Sequence, residues 1–334
     1  MRKKQITMDD VARLANVSKP TVSRALSGNP NVTEQTREKV LAVAREHGYA
    51  VNRNARKLRE KHTNTVAVVL DFSSHRRDRI SDPFIYELLA GVSEALSVRN
   101  QDLLLSPPTL TNVDSYRDLV MSRVVDGFIM LGQGANDALF SELHELNVPL
   151  VVWGGKTDDT EYCTVGSDNF LGGYLAGERF VTNKCKDVLY VGNSEHLELR
   201  LRRDGLRKAL NTAHYDIKFR ELEIEDFSFS SHFESMARLL KKSSAPDAIF
   251  TYSDTAGMAV INALNEHGLE PIKDYFLIGY NDIAQASHFS PRLTTIRQDT
   301  FLAGSLLVEK FMSVLNKNNP TSSTIPTELI VRGT

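Results

Sequence analysis

Seven short apolar runs rich in Val, Ile or Leu recur between residues 66 and 280, with amphipathic stretches between them. They are VAVVLD at 66–71, DLLLS at 102–106, GFIML at 127–131, PLVVW at 149–153, DVLYVG at 187–192, DAIFTY at 247–252 and YFLIGY at 275–280. Strands covered on both faces read as continuous apolar runs, and their alternation with helical stretches such as PFIYELLAGVSEALSVRN and DTAGMAVINALNEHG predicts parallel sheets wound on both faces. The runs fall into two blocks, with a second cycle beginning near TVGSDNFLGGYLAGERF at 164–180. Two doubly wound α/β subdomains are therefore expected. Open sheets take ligands beyond the carboxyl ends of their strands, which here means the cleft between the two, and a closing cleft can couple a ligand to a distant site.

The first sixty residues obey different rules. In ITMDDVARLANVSKPTVSRAL (6–26) Thr7 and Asp10 make a capping-box pattern, and Val11, Leu14 and Ala15 share a helical face. Asn16 suits a sharp turn, Ser18 can cap a second helix, and Pro20 fits its first turn. Val22 and Leu26 point inward, which leaves Lys19, Thr21, Ser23 and Arg24 outward on a short helix that fits a DNA major groove. Thr33 and Gly48 bracket a third helix with Val40, Leu41, Val43 and Ala44 as its apolar stripe. YAVNRNARKLREKHT follows, with Leu58 among Arg53, Arg56, Lys57 and Arg59. It reads either as a solvated basic linker or as a segment that folds on DNA and wedges Leu58 into the minor groove.

Charge divides the chain at the same place. Residues 1–62 carry 14 Lys and Arg against 6 Asp and Glu, a net of +8, while the remainder carries 26 against 36, a net of −10. A basic end is the electrostatic footprint of phosphate binding, and an acidic body leaves that contact to it. A hydrophobic fraction of 41% and a charged fraction of 25% are those of an ordinary globular protein, and 334 residues suit two or three domains. No apolar run approaches a membrane span, and MRKK leads into no apolar leader, so a cytoplasmic chain, nucleoid-associated when bound to DNA, is expected. Cys163 and Cys185 fit no metal motif and are expected reduced. There is no P-loop, no GxSxG elbow and no metal triad, which argues against an enzyme.

The runs VARLANVSKPTVSRAL, NPNVTEQTREKV and GYAVNRNARKL, together with the later pocket motifs, resemble the LacI-type (lac repressor, purine repressor) family of bacterial transcription regulators over nearly the whole chain. The resemblance implies an all-α helix-turn-helix headpiece (1–50), a hinge (51–63) and a periplasmic-binding-protein-like core (64–334). It places about 65–165 with 294–323 in one subdomain and about 166–293 with 324–332 in the other. It further implies a homodimer on near-palindromic double-stranded operator DNA, most often a repressor, with no cofactor beyond a small-molecule effector. A sugar or sugar derivative is the expected effector class, a purine or nucleoside the alternative, and control by a partner protein a third reading. The chain ends at IVRGT without a heptad tail, which favours a dimer over a tetramer.

On this resemblance Lys19, Pro20, Thr21 and Arg24 meet base edges, and Ser18, Thr33 and Arg37 meet phosphates. Ser23, Asn31, Asn52, Ala55, Leu58 and Arg59 belong to the same DNA interface. Arg202, in LRLRRDGLRKAL, matches a family arginine that contacts sugar hydroxyls or anionic groups, whereas Arg200 is read as structural or exposed. Asn281, in GYND, stands where the family commonly has an aspartate, so a charged acceptor is lost while donor and acceptor capacity remain. Phe84 matches a family aromatic, and Trp153 is read either as a stacking ring or as core. Asp254 either caps its helix or touches ligand, and His196 and Glu198 either serve the ligand or are solvated. SSHRRDRISDPF is longer than the usual link, and Arg76, Arg77 and Arg79 in it are either solvated or a gate for an anionic effector. The Leu58 wedge is tested by Leu58→Ala, which is expected to reduce specific DNA affinity and DNA bending while effector binding persists. Unchanged affinity and bending in a gel-shift series remove the wedge.

Overall fold

A computed structural model of the chain describes residues 6–49, 62–70, 83–106, 112–134, 136–157 and 159–334. Asn52, Ala55, Leu58 and Arg59 of the expected hinge, and Arg76, Arg77 and Arg79 of the long link, lie outside the described residues. The chain divides into two compact units, Met1–Thr63 and Asn64–Thr334.

In the first unit, α1 (Met8–Leu14), α2 (Lys19–Leu26) and α3 (Glu34–Glu46) surround a small core of Val11, Ala12, Ala15, Val22, Ala25, Val32 and Val40. Local chemistry sets each boundary. The Thr7–Asp10 capping box starts α1, Ser18 accepts from the Thr21 amide to start α2, and Thr33 accepts from the Thr36 amide to start α3. Asn16, at φ +51°, turns the chain between α1 and α2, and Gly48, at φ +64°, follows α3. Leu14 departs from expectation, being 45% exposed, while Ala12 takes the buried position. In a helix of seven residues the buried face follows the neighbouring helices rather than the periodicity of the helix alone.

The second unit holds two six-stranded sheets. The first is built from β1 (Thr65–Leu70), β2 (Asp102–Leu105), β3 (Gly127–Leu131), β4 (Leu150–Trp153), β5 (Thr164–Ser167) and β11 (Ser323–Ile325). Its strand order is β11-β5-β4-β3-β1-β2, and every pair is parallel. The helices of this part are α4 (Pro83–Val98), α5 (Val113–Met121), α6 (Asp137–Glu145) and α12 (Thr300–Leu315). The second sheet takes β6 (Asp187–Gly192), β7 (Lys218–Glu223), β8 (Ala248–Thr251), β9 (Phe276–Asn281), β10 (Thr294–Arg297) and β12 (Glu328–Ile330). Their order is β12-β10-β9-β8-β6-β7, parallel except for the antiparallel β10–β12 pair. Its helices are α7 (Asn169–Thr182), α8 (Leu197–Leu210), α9 (Phe229–Lys242), α10 (Asp254–Glu266) and the short α11 (Ala284–His288).

The chain crosses between the sheets three times: after β5, between β10 and α12, and between β11 and β12. This corrects the expected division chiefly at residues 294–297, which pair with β9 and belong to the second sheet, so that the return to the first begins only with α12; the expected bounds at 165 and 323 also cut β5 and β11, both of which lie wholly in the first sheet. Each of the seven apolar runs forms a strand. The polar edge strand β7 (KFRELE), with β5, β10, β11 and β12, was not legible as strand. An edge position needs no apolar run, since one side of the strand meets solvent.

Glycines set the closest helix contacts. α7 and α8 meet backbone to backbone, so that a Cβ on Gly173 would overlap the Arg202 carbonyl oxygen and one on Gly205 would overlap that of Phe170. Neither neighbour is a side-chain end that can swing away. Gly173→Ala is expected to cost about 2 kcal/mol or more of stability by forcing two packed helices apart. A urea-denaturation midpoint equal to that of the parent protein contradicts this account.

Candidate functional site

The outer face of α2 is the first site. With Val22 and Ala25 turned into the core, Lys19, Pro20 and Arg24 are exposed and Thr21 and Ser23 half-buried at the surface. The Ser18 cap makes the helix begin sharply, so its first turn presents side chains of compact polar and cationic chemistry suited to base edges and phosphates. Lys19 Nζ rests 2.8 Å from Asp9 Oδ2, both exposed, a solvated pair that a phosphate can displace. Thr33 and Asn31 are exposed at the start of α3 and in the loop before it. Arg37 is half-buried, donates from Nη2 to the Asn29 carbonyl at 3.0 Å and pairs with Glu34 at 3.3 Å. It is first an anchor for the α2–α3 loop, and offers outward what that leaves.

The second site is the cleft between the two sheets of the core, a space of about 840 Å³ open to solvent. Six of the seven expected effector residues line it: Phe84, Trp153, His196, Glu198, Arg202 and Asn281. Phe84 begins α4 and Trp153 ends β4, and their rings lie 6.0 Å apart. Both are almost fully buried, so core and cleft readings are combined in one pair of rings. Facing them from the second sheet's side, His196, Phe227 and Tyr252 form a run of rings with centroids 5.2 and 4.6 Å apart. Arg200 is exposed, as expected.

Arg202 is 7% exposed. Its Nε donates to Asn169 Oδ1 at 2.8 Å, its Nη1 donates to the Tyr252 carbonyl at 2.5 Å, and the guanidinium carbon lies 3.6 Å from the centre of the Tyr280 ring. Glu198 stands one helical turn earlier. Burial pushes its carboxyl above the usual carboxylate range, while its own backbone amide, Arg202 and His196 pull it back. Burial likewise pushes the Tyr280 phenol up to about 12, so it stays neutral under the cation.

Asn281 is 5% exposed at the end of β9, with φ +115°, and Asp282 follows at φ +58°. Such backbone conformations in residues with a Cβ persist only when the surroundings hold them. Here Asn281 Oδ1 accepts from Gln298 Nε2 at 2.7 Å, and Asp282 accepts from Arg297 at 2.7 Å and from Arg332 at 2.6 Å. Asp254 completes the hold and is a correction, because it is fully buried and does not line the cleft. Its carboxylate accepts from the Ile283 amide at 2.9 Å and from the Thr295 hydroxyl, while the helix cap itself is Ser253. Asp254 supports the loop that carries Asn281 and neither caps α10 nor faces the cleft.

Gln133, Ser167, Asn169, Phe227, Tyr252 and Gln298 also line the cleft and were not singled out in the sequence. Gln133, Ser167, Tyr252 and Gln298 sit at or just past the carboxyl ends of β3, β5, β8 and β10, where the strand-end rule would have found two of them from the predicted strands. Phe227 follows β7, which the sequence did not reveal. No group of three or more His, Cys, Asp or Glu among the described residues is arranged to hold a metal ion. No helix among them is long and apolar enough to cross a membrane.

Both units of the chain match known protein families. Residues 7–52 match the family model for bacterial regulatory proteins of the lacI family, and residues 178–334 match that for a periplasmic binding protein-like domain. The HTH-type transcriptional regulator CelR of Thermobifida fusca is 30% identical over 99% of this chain and 98% of its own length. Among solved structures, the lac repressor dimer bound to operator and the anti-inducer ONPF superposes with a TM-score of 0.84 at 26% identity, covering 99% of both chains. A CelR–cellobiose complex gives a TM-score of 0.70 at 27% identity over 98% of this chain and 99% of that one. The chain is thus a DNA-binding transcription regulator rather than an enzyme, and it belongs to the lacI family of bacterial regulatory proteins.

Proposed function

We propose that the chain is a repressor that binds a near-palindromic operator as a homodimer and is controlled by a sugar or sugar derivative held in the cleft of its core. The observation that carries the DNA side is the α2 face, with Ser18 capping the helix and Lys19, Thr21, Ser23 and Arg24 turned away from a core of Val22 and Ala25. A twofold dimer presents two such helices to two half-sites, which explains why operators of this kind are palindromic. Such a protein works where the DNA is, in the bacterial cytoplasm.

On the effector side, the aromatic walls supply flat apolar surface, while Arg202, Asn281 and Gln298 supply fixed polar groups, the combination that binds sugar rings. The cellobiose in the CelR complex and the ribose bound to a LacI family regulator from Enterococcus faecium support the same assignment. Stacked rings on both sides also suit a purine base, the second reading, which the same binding panel separates from the first. Effector binding shifts the relative population of two cleft geometries, and so the operator affinity.

The direct experiment selects operator DNA from a random pool with the full chain and then titrates carbohydrates and purines into the complex. Arg24→Ala is expected to lower affinity for the selected operator by about tenfold to a hundredfold, the usual loss for one base-reading side chain, with unchanged thermal stability. Logarithmic affinity is expected to fall linearly and steeply with logarithmic salt. A flat salt response contradicts the phosphate contacts. Arg202→Gln is expected to abolish the response of the complex to its effector while effector-free DNA binding is retained. A variant that still responds to effector as the parent does removes Arg202 from the pocket.

A further inference from the structure

Arg202 carries a nearly buried positive charge surrounded by neutral groups. Its partners are an amide oxygen, a backbone carbonyl and a tyrosine ring. No carboxylate among the described residues forms an ion pair with it, and Glu198, the one acid among the described lining residues, is not one of its hydrogen-bond partners. A guanidinium withdrawn from water without a counter-ion is unfavourable unless something else supplies the opposite charge.

The neighbouring polar position points the same way. Asn281 has its Oδ1 committed to Gln298 Nε2, which leaves Nδ2 as a donor for whatever occupies the cleft. Turning both amides over moves the outward donor from Asn281 to Gln298, so in either assignment the pair keeps one donor for a ligand oxygen and adds no negative charge beside Arg202. An aspartate there would instead face the cleft with acceptors alone, would compensate Arg202 and would select hydroxyl donors.

We propose that the effector is an acidic sugar whose carboxylate seats on Arg202 beside the Asn281–Gln298 amide pair. The proposal rests on the carbohydrate reading above and narrows it. Asn169 and Tyr252 use Nε and Nη1 of Arg202, so a ligand meets the guanidinium through what those two bonds leave. Among the described lining residues Arg202 is the one arginine or lysine, which matches a single carboxylate. A phosphomonoester, at about −1.5 to −2 charge near neutral pH, brings more negative charge than Arg202 alone balances. The sugar ring lies between the Phe84–Trp153 pair and the Phe227–Tyr252 pair.

The test measures thermal shift and titration calorimetry on the full chain. The probes are D-glucuronate, D-galacturonate and D-gluconate, their neutral counterparts D-glucose and D-galactose, the neutral disaccharide cellobiose, D-glucose 6-phosphate, and hypoxanthine. A sugar acid is expected to bind about tenfold or more tightly than its neutral counterpart. Asn281→Asp is expected to weaken the acid by about tenfold or more while leaving the neutral sugar unchanged or improved, because it places a second carboxylate against the first. Asn281→Ala, which removes the donor without adding charge, is expected to weaken the acid by less. The unliganded melting temperature of each variant shows whether it is folded.

A neutral sugar that binds as tightly as its acid, or an Asn281→Asp variant that affects both alike, overturns the proposal and leaves the carbohydrate reading standing. Preference for the phosphate ester over every carboxylate also overturns it. Binding of hypoxanthine alone, or of no probe, overturns the carbohydrate reading and this inference with it.

Discussion

The buried guanidinium of Arg202 is the constraint around which the effector side of the core is arranged. Water is replaced by fixed dipoles from three separate elements: Asn169 at the start of α7, the Tyr252 carbonyl after β8 and the Tyr280 ring on β9. Each must arrive at the right place for the charge to be tolerated. α7 comes close enough because Gly173 and Gly205 let two backbones touch, and Tyr280 fits because Gly172 opposite it has no side chain. The composition of a helix interface and the electrostatics of a pocket are therefore a single problem. A methyl group added at the glycine contact displaces the cation as well as the helix.

Much of the headpiece was legible because its signals are local. A capping hydroxyl, a left-handed asparagine and a proline in a first turn act on backbone within a few residues, so Thr7, Asn16, Ser18 and Thr33 do in the fold what their sequence neighbourhoods predict. Leu14 was misjudged because which face of so short a helix is covered depends on partners outside it. In the core, strands inside a sheet announced themselves by apolar content, whereas β7 and β10 are strands by virtue of whom they pair with.

The cleft divides along the same line. Arg202, Asn281, Trp153 and Phe84 could be placed through family resemblance and strand-end position. Asp254 could not, since the Ile283 amide and the Thr295 hydroxyl that define its role come from 29 and 41 residues further along the chain. Phe227 was hidden with the edge strand that delivers it. The family pattern brought six of its seven candidate residues to one cleft.

The clamp on Asp282 bears on how force leaves the pocket. Arg297 closes β10 just ahead of the second crossing between the sheets, and Arg332 lies just beyond the third. One carboxylate thus ties the residue next to Asn281 to two of the three chain segments about which the halves of the core must turn. Asn281 also pairs with Arg297 across β9 and β10, so a change of backbone there reaches the second crossing through the sheet and through the Asp282–Arg297 ion pair together. The strained pair of residues is thereby fastened, on one side, to the wall of the cleft and, on the other, to the crossings themselves.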